Sequence, residues 1–462
     1  MNRKQKIGIG CAAVILAAMW FIAPPEGLSA EGMKTLGLLL AALILWITEA
    51  VPIAVTALAL VAFQPIYGIA APGAAFTNFI NSVFFFVIAS YGISIAIMNT
   101  TFINRMANSL LRRTGGGAFK VILALTSAAA LLSAFISNVP ACAVLMGFAI
   151  GMLEPLEDGP SKTGLRKTLM IAIPFGAMIG GIATPAGSSV NILALDLLEA
   201  STGMSISFLE WMLYGVPITL VAIPFTVLVL MKLFKPKAMG EESVAIIIEQ
   251  TKVDQPLTAK EKKLIMILIL MMTFWIAGTW VPVFNITIVA LVGLIFMFLP
   301  GVEILNWDNF MKEVSWDAVI MIGGVSSIGT AVTATGVSNW FMGEAASNLL
   351  DMGMVPLIAL IGMFLNIIHL ILPIAPAIVA VGVQPLVDLA EAMSISPVTF
   401  IVTLSFMAGI CLLLPLDAVP LITYTKKYYT MWDMFKAGII VSTAIVVMLA
   451  FWGTFAGSLL GY

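Results

Sequence analysis

The side chains best placed for chemistry in this sequence are the hydroxyls of Ser133 and Ser137 and the amide of Asn138. They lie at a polar break between two apolar runs, 121–132 and 141–152. Each run is about a dozen residues long, whereas a helix needs about 20 residues to cross a hydrocarbon core of roughly 30 Å. A turn at this depth can present hydroxyl, amide and free backbone groups to an ion or a solute.

The two runs and their break are predicted to form a hairpin over residues 118–156 that enters the membrane and turns back. The alternative is one long helix kinked at Pro140. Because Ser133 and Ser137 are four residues apart, helical geometry would place them on one face. Asn138 follows at the tip.

A second group of polar side chains interrupts the apolar stretch 168–197 near its middle. Thr184, Ser188 and Ser189 lie there. Gly187 permits the close backbone approach that an ion needs. A lone serine in a membrane helix often bonds only to the preceding turn. Polar positions at two breaks instead favour a buried site, where helix N-termini and polar side chains bind an anion and oxygen atoms hold Na⁺.

The composition of the chain indicates whether water or lipid surrounds it. Of its 462 residues 61% are hydrophobic and 10% charged, which indicates a membrane protein surrounded by lipid. A net charge of -2 gives no reason to expect nucleic acid. The single histidine, His369, excludes a multi-histidine metal site, and the cysteines show no CxxC spacing. No Gly-rich phosphate loop with a lysine is present, so we expect neither ATP-driven pumping nor an organic cofactor.

The pattern of apolar segments predicts an all-α polytopic membrane protein with about eleven transmembrane helices and two re-entrant hairpins. The order span, amphipathic arm, hairpin, broken span, span begins near Phe84 and again near Val314. An odd number of crossings separates corresponding elements, so the two repeats are predicted to have inverted topology. The predicted parts are N-terminal scaffold spans 1–80, a first repeat 81–235 with hairpin 118–156 and broken helix 168–197, a cytoplasmic linker 236–263, scaffold spans 264–313, and a second repeat 314–462 with hairpin 353–392 and broken helix 398–426.

The distribution of charge predicts orientation. With the N-terminus inside, every Lys and Arg except Lys34 lies in a cytoplasmic segment, and the C-terminus is outside. We therefore expect an integral protein of the cytoplasmic (cell) membrane. The predicted outer segments carry acids: Asp196, Glu199, Glu210, Glu344, Asp351, Asp388 and Glu391.

The second repeat has different chemistry. Its hairpin tip, residues 373–376, has neither a hydroxyl nor an amide, and its broken span carries Asp417 where the first repeat has Gly187. An ionisable residue inside a membrane is a functional candidate. His369 is the other titratable group at this depth, so Asp417 and His369 are candidates for proton coupling. The alternative is that Asp417 caps the following helix and His369 is interfacial.

Three segments resemble the divalent anion/sodium symporter family, which comprises dicarboxylate, citrate and sulfate carriers. They are residues 47–57, the Ser137-Asn138 tip and residues 183–191. The resemblance in layout covers essentially the whole chain. It implies a homodimer, a scaffold and a transport domain in each protomer, and an elevator motion that moves a small organic anion with Na⁺.

The resemblance also implies which residues line the site. Ser133, Ser137, Asn138 and Gly187 match a first sodium site. Ser137, Asn138 and Ser188 match substrate-facing positions, and the substrate-binding set further includes Val139, Thr184, Ser189, Pro376 and Ala418.

The sequence departs from the family pattern, which has Ser-Asn-Thr at each hairpin tip. Val139 replaces the third hydroxyl of the first tip, and Ala418 replaces a substrate-facing hydroxyl. Asp417 stands where a second sodium site would use a backbone carbonyl, which puts that second site in doubt. At 4 Å it would repel a dianion by about 4 kcal/mol per unit charge at an effective dielectric of 20. Asp417 is therefore protonated, neutralised by a cation or His369, or paired with a less charged substrate.

The leading hypothesis is a secondary active transporter of small organic anions, with C4-dicarboxylates as the first choice. It retains one Na⁺ site, and Asp417 carries a proton or replaces the second ion. The alternatives are an ion-independent exchanger and a proton-coupled carrier of a less charged solute. A polytopic membrane enzyme is the alternative from another class, but a zinc protease needs several histidines and an aspartyl protease needs two deep aspartates. We therefore expect a protein that is not an enzyme.

Overall fold

The computed structural model describes residues 3–154, 160–237, 249, 256–337, 340, 349–372 and 374–462. Several predicted segments lie partly outside these residues. They are the cytoplasmic linker 236–263, the second amphipathic arm 337–350 with Glu344, and the hairpin tip at Pro373.

The described part of the chain is helical and contains no strand, which confirms the predicted all-α membrane fold. Seven of its helices are long and apolar enough to cross a membrane, and further apolar helices are shorter. The total of eleven crossings stays a prediction. The seven are Ala30–Thr48, Pro72–Met98, Phe208–Phe234, Trp316–Ala334, Met354–Ile371, Ala375–Ala392 and Met431–Leu460.

The first half of the chain runs from α1 to α11. Its helices are α1 (Arg3–Ala18), α2 (Ala30–Thr48), α3 (Ile53–Ile66), α4 (Pro72–Phe79), α5 (Ser82–Met98), α6 (Phe102–Leu111), α7 (Ala118–Ser133), α8 (Asn138–Leu153), α9 (Pro160–Gly181), a 3₁₀ turn (Pro185–Gly187), α10 (Ser189–Thr202) and α11 (Phe208–Phe234).

The second half contains the helices α12 to α21. They are α12 (Ala259–Ala277), α13 (Ile286–Phe298), α14 (Trp307–Glu313), α15 (Trp316–Ala334), α16 (Met354–Ile371), α17 (Ala375–Ala392), α18 (Val398–Gly409), α19 (Ala418–Tyr424), α20 (Met431–Met448), a π-helical turn (Leu449–Gly453) and α21 (Thr454–Leu460).

The order of elements occurs twice, and the repetition begins earlier in each half than the sequence indicated. A pair of helices (α2 and α3, then α12 and α13) precedes a short helix (α4, then α14) and a longer one (α5, then α15). A helical hairpin, a broken helix and a further helix follow in both halves. Each half therefore contains the same series of elements.

The two halves pack reciprocally. Helix α5 lies against α13 of the other half, and α15 lies against α3. The second arm of the first hairpin, α8, contacts α19, and the second arm of the other hairpin, α17, contacts α10. Each hairpin therefore reaches the broken helix of the opposite half, which brings the polar breaks of the chain into one region.

Glycines let the first hairpin approach its own broken helix closely. A Cβ atom at Gly180 of α9 would lie 2.2 Å from the carbonyl oxygen of Ala130 on α7. One at Gly176 would lie 2.5 Å from the carbonyl oxygen of Thr126. Small residues commonly allow such backbone contact between membrane helices. This contact fixes the height of the hairpin tip relative to the break that follows α9.

The carboxylate of Glu261 ties the start of α12 to the start of α6. It accepts hydrogen bonds from the backbone and hydroxyl of Thr258, at 2.8 and 3.0 Å. It also accepts from the backbone and hydroxyl of Thr101, at 2.9 and 2.5 Å. Burial alone would raise the pKa of Glu261, but these bonds outweigh it and lower the pKa from 4.5 to about 2.

We predict that the contribution of Glu261 to stability is complete above pH 4.5 and is lost as the pH falls toward 2, because the folded state holds the ionised form. Glu261→Gln removes the charge and should cost on the order of 2 kcal/mol at neutral pH. Thermal unfolding of the purified protein between pH 7 and about pH 2.5 measures both effects. Glu313→Gln, at an exposed carboxylate, is the matched control, and equal behaviour of the two variants would contradict the prediction.

Candidate functional site

The first hairpin has a true break at its tip. Helix α7 ends at Ser133 and α8 begins at Asn138, so residues 134–137 belong to neither helix. This arrangement excludes the single kinked helix. Ser137 has extended backbone angles, φ -51° and ψ 144°, and therefore the prediction that Ser133 and Ser137 share one helix face is wrong.

The amide of Asn138 is at the centre of the tip. Its Oδ1 accepts a hydrogen bond of 2.5 Å from the hydroxyl of Ser133, and both side chains are buried. The same oxygen lies 2.2 Å from the position that a Cβ atom would take at Gly181, the last residue of α9. Ser133 and Asn138 thus face the point where the broken helix stops.

Gly187 brings the backbone of the broken helix against two carbonyl groups. A Cβ atom there would lie 2.5 Å from the carbonyl oxygen of Gly181 and 2.9 Å from that of Ser133. Only a residue without a side chain fits at this point. The predicted need for glycine therefore has a structural cause.

Side chains satisfy the carbonyl groups that the breaks release from helical bonding. Asn191 donates through Nδ2 to the carbonyl oxygens of Gly181 and Thr184, at 2.8 and 3.0 Å. The hydroxyl of Thr184 donates to the carbonyl oxygen of Ala134 at 2.5 Å. Thr184 is buried and holds the hairpin tip against the break. The hydroxyl of Thr184 therefore positions the hairpin tip relative to the break.

Asn191 was not among the predicted site residues, although it connects the two repeats. It is fully buried, and its Oδ1 accepts a hydrogen bond of 3.0 Å from the hydroxyl of Ser405 on α18. A buried amide within an apolar stretch was the available signal. Its partner lies 214 residues further along the chain, beyond the reach of any local pattern.

Four neutral oxygens lie between the hairpin tip and the break after α9. The carbonyls of Gly181 and Ser133 lie beside Gly187, and the amide Oδ1 of Asn138 lies beside Gly181 and accepts from the hydroxyl of Ser133. Oxygen donors suit hard cations. Among the described residues no group of three His, Cys, Asp or Glu side chains could hold a metal. An uncharged set of this kind fits a monovalent cation such as Na⁺ better than a divalent metal.

The polar side chains with access to the surface lie around this set. Ser137, Ser188 and Ser189 are half-buried, and Val139 is 38% exposed. The hydroxyl of Ser188 accepts from the backbone N–H of Val190 at 3.3 Å and so caps α10. Helices α8 and α10 both begin at this surface, and their N-terminal N–H groups favour an anion.

Asp417 of the second repeat caps α19, as the alternative prediction had it. Its Oδ1 accepts a hydrogen bond of 3.0 Å from the backbone N–H of Val419, and the side chain is partly exposed. Ala418 beside it is exposed. The thiol of Cys142 on α8 donates to the carbonyl oxygen of Val419 at 3.5 Å. Asp417 therefore lies near the first hairpin.

The second hairpin tip is apolar and mostly covered. Ala375 and Pro376 are buried, Ile374 is half-buried, and Pro373 lies outside the described residues. Pro376 thus contributes shape and not a polar contact.

His369 is buried on α16 and has a hydrogen bond with the backbone of Ala408 on α18. Its Nδ1 has no hydrogen-bond partner in the described part of the chain. His369 and Asp417, both described, form neither an ion pair nor a hydrogen bond with each other. In this conformation Asp417 bonds to the backbone of Val419, and His369 bonds to the backbone of Ala408.

Comparison with known proteins gives a consistent picture. The profile of the family described as "Sodium:sulfate symporter transmembrane region" matches residues 4–462. A protein called sodium-dependent dicarboxylate transporter SdcS from Staphylococcus saprophyticus is 23% identical over 444 residues, covering 91% of this chain and 85% of that protein. SdcS from Staphylococcus aureus strain RF122 is 25% identical over 425 residues, covering 84% and 81%. A "membrane protein" of Cupriavidus necator is 25% identical over 437 residues, covering 89% and 84%.

Among solved structures, the YdaH transporter of Alcanivorax borkumensis is similar to this chain. The TM-score is 0.56 at 12% sequence identity, and the match covers 100% of this chain and 98% of that one. The similarity concerns the fold.

We predict that Gly187→Ala destabilises the protein by about 1–3 kcal/mol, because the added methyl group meets two backbone oxygens that cannot yield. Gly409→Ala is the control, since a Cβ atom at Gly409, where α18 ends, has no heavy atom within 4 Å. Thermal unfolding of the two purified variants makes the comparison. Equal transition temperatures would show that the close packing at Gly187 is not present.

Proposed function

Because the chain belongs to the sodium:sulfate symporter family, we infer that it is a secondary active transporter of small organic anions coupled to Na⁺. C4-dicarboxylates are the proposed substrates. The staphylococcal relatives, whose names describe sodium-dependent dicarboxylate transport, support this assignment.

The observation that carries the proposal is the meeting of the first hairpin tip with the break after α9. Ser133, Asn138 and the carbonyl of Gly181 form the oxygen set there. A Na⁺ ion held by this set would lie beside the N-termini of α8 and α10. Its charge would add to theirs, so cation and anion would each favour the binding of the other. Coupled transport needs such mutual stabilisation.

We assign the anion to the accessible surface around the oxygen set. Ser137, Ser188 and Ser189 lie there half-buried, and the first turns of α8 and α10 add backbone N–H donors. The carboxylates of a C4-dicarboxylate would accept these hydrogen bonds without a buried cationic side chain. Val139 and Ala418 are exposed and carry methyl groups at positions where the family pattern has hydroxyls. These methyl groups leave room for the anion.

Asp417 is the proposed coupling group of the second repeat. The apolar tip at Ile374, Ala375 and Pro376 offers no side-chain oxygen for a second Na⁺. A carboxylate that binds a proton or a second cation would supply the missing positive charge and relieve the repulsion of a dianion. His369, with its unpartnered Nδ1, is a second candidate for this proton. This chemistry also keeps a proton-coupled carrier as the alternative function.

The remaining parts of the proposal have two sources. The distribution of Lys and Arg supports location in the cytoplasmic membrane with a cytoplasmic N-terminus and an outer C-terminus. The family resemblance supports a homodimer and an elevator motion of the hairpins and broken helices.

We predict that Ser133→Ala raises the Na⁺ concentration for half-maximal succinate uptake about tenfold, because it removes one oxygen and the hydrogen bond that orients Asn138. Uptake of labelled succinate into proteoliposomes under an inward Na⁺ gradient is the measurement. Ser94→Ala is the matched control, since within the described part of the chain this buried hydroxyl bonds only to the carbonyl of Ser90 in its own helix, at 2.8 Å. Uptake that needs no Na⁺ in the unmutated protein would overturn the proposed coupling.

We predict that Asp417→Asn lowers the number of positive charges moved with each succinate by one. The amide keeps the N-cap hydrogen bond to Val419, so folding should be little affected. The ratio of transported charge to labelled succinate, measured under opposed voltage and Na⁺ gradients, gives this number. An unchanged ratio would leave Asp417 as a helix cap only, and uptake driven by counter-substrate alone would favour an exchanger.

A further inference from the structure

An apolar groove lies between the first hairpin and α12, and Phe135 of the hairpin tip is among the residues that line it. The hairpin supplies Leu131 and Phe135, and α12 supplies Ile265, Ile269 and Trp275. Every lining side chain of this cavity, of about 350 Å³, is apolar. Such a surface has no polar partner for an organic anion, and its natural occupant is hydrocarbon.

The length of the groove matches one leaflet of a bilayer. Its wall follows α12 from Ile265 to Trp275, ten residues that rise about 15 Å at 1.5 Å per residue. One leaflet contributes about half of a hydrocarbon core of roughly 30 Å. An acyl chain lying along α12 would therefore extend from the interface to the middle of the membrane.

The groove continues into a second cavity, of about 500 Å³, at the end where α12 begins. Phe102, Met106, Leu131 and Ile265 line both cavities, so the two are joined. Arg105 of α6 lines only the second one and marks its mouth.

The chain around this mouth is strongly basic. Arg105 adds a positive charge from α6, and residues 256–265, of which Leu257 and Ile265 line the second cavity, contain three lysines and one acid, Glu261. Glu261 adds one negative charge among these cations. Its carboxylate accepts from the hydroxyl of Thr101, which in turn accepts from the Nε of Arg105 at 2.8 Å. Basic pockets at the cytoplasmic end of membrane helices bind anionic lipid head groups.

We propose that this groove binds an anionic phospholipid, with one acyl chain along α12 and the phosphate beside Arg105. The lipid would lie between the first hairpin and α12 and contact both. The proposal does not depend on the transported solute, because no lining residue of the groove belongs to the candidate site.

The test is lipid binding by the purified full-length protein. Native mass spectrometry in detergent counts bound phosphatidylglycerol and phosphatidylcholine during titration with each lipid. We expect phosphatidylglycerol to bind more tightly, and Arg105→Gln to weaken it about fivefold, equivalent to about 1 kcal/mol. Arg105→Gln should leave phosphatidylcholine binding unchanged. Arg113→Gln, at an exposed arginine that does not line the groove, is the charge-matched control.

A second pair of variants tests the groove itself. Ile269→Trp fills it and should weaken the binding of both lipids, since Ile269 lines the cavity and is 61% exposed. Leu270→Trp is the control, because Leu270 is the next residue of α12, is 46% exposed and does not line the cavity. The proposal is overturned if Arg105→Gln behaves like Arg113→Gln, or if Ile269→Trp binds as much lipid as Leu270→Trp.

Two further measurements keep the test decisive where a variant does not fold. Arg105→Lys retains the charge and should keep the preference for phosphatidylglycerol. In the unmutated protein, raising the salt concentration from 0.1 to about 1 M should remove most of that preference through screening. A preference that persists at high salt would contradict the assigned contact between phosphate and arginine.

Discussion

The structure depends on one constraint: a helix that is broken inside a membrane must satisfy its free backbone groups without water. At the first break, this is done by side chains that reach across from other segments. Asn191 bonds to two carbonyl oxygens, Thr184 to a third and the indole N–H of Trp211 to the carbonyl of Ile182, at 3.0 Å. The lack of a side chain at Gly187 brings the carbonyl of Ser133 close to that of Gly181, one of the two carbonyls that Asn191 bonds. The oxygen set is thus a product of the same packing that makes the break tolerable.

The two repeats have the same series of elements but not the same chemistry. The first places hydroxyls, an amide and close-packed carbonyls at its tip, whereas the second has an apolar tip and a carboxylate that caps a helix. Because α8 contacts α19, both kinds of chemistry are near each other. The repeated fold supplies two equivalent positions, and the side chains give them different tasks.

Sequence reasoning located the breaks because Pro, Gly, Ser and Asn are conspicuous in apolar surroundings. It therefore predicted the hairpins and broken helices, and it singled out Ser133, Asn138 and Gly187, which the structure places at the first hairpin tip and the break after α9. It misplaced Ser137 because the four-residue spacing assumes a helix, and the chain leaves the helix after Ser133. The sequence did not predict the hydrogen bond between Asn191 and Ser405, because no local pattern shows which buried polar groups meet after folding. The extension of the repeat to α2 and α12 became visible only when helix lengths and packing could be compared.

The hydrogen bond between Asn191 and Ser405 also has a consequence for biogenesis. The chain emerges from the ribosome N-terminal half first, at about 5–20 residues per second. Ser405 follows Asn191 by 214 residues, so its synthesis comes on the order of 10–40 s after that of Asn191. During this interval the first break lies in the membrane with an unsatisfied acceptor. Formation of the hydrogen bond that joins the first break to the second repeat is therefore a late event in assembly.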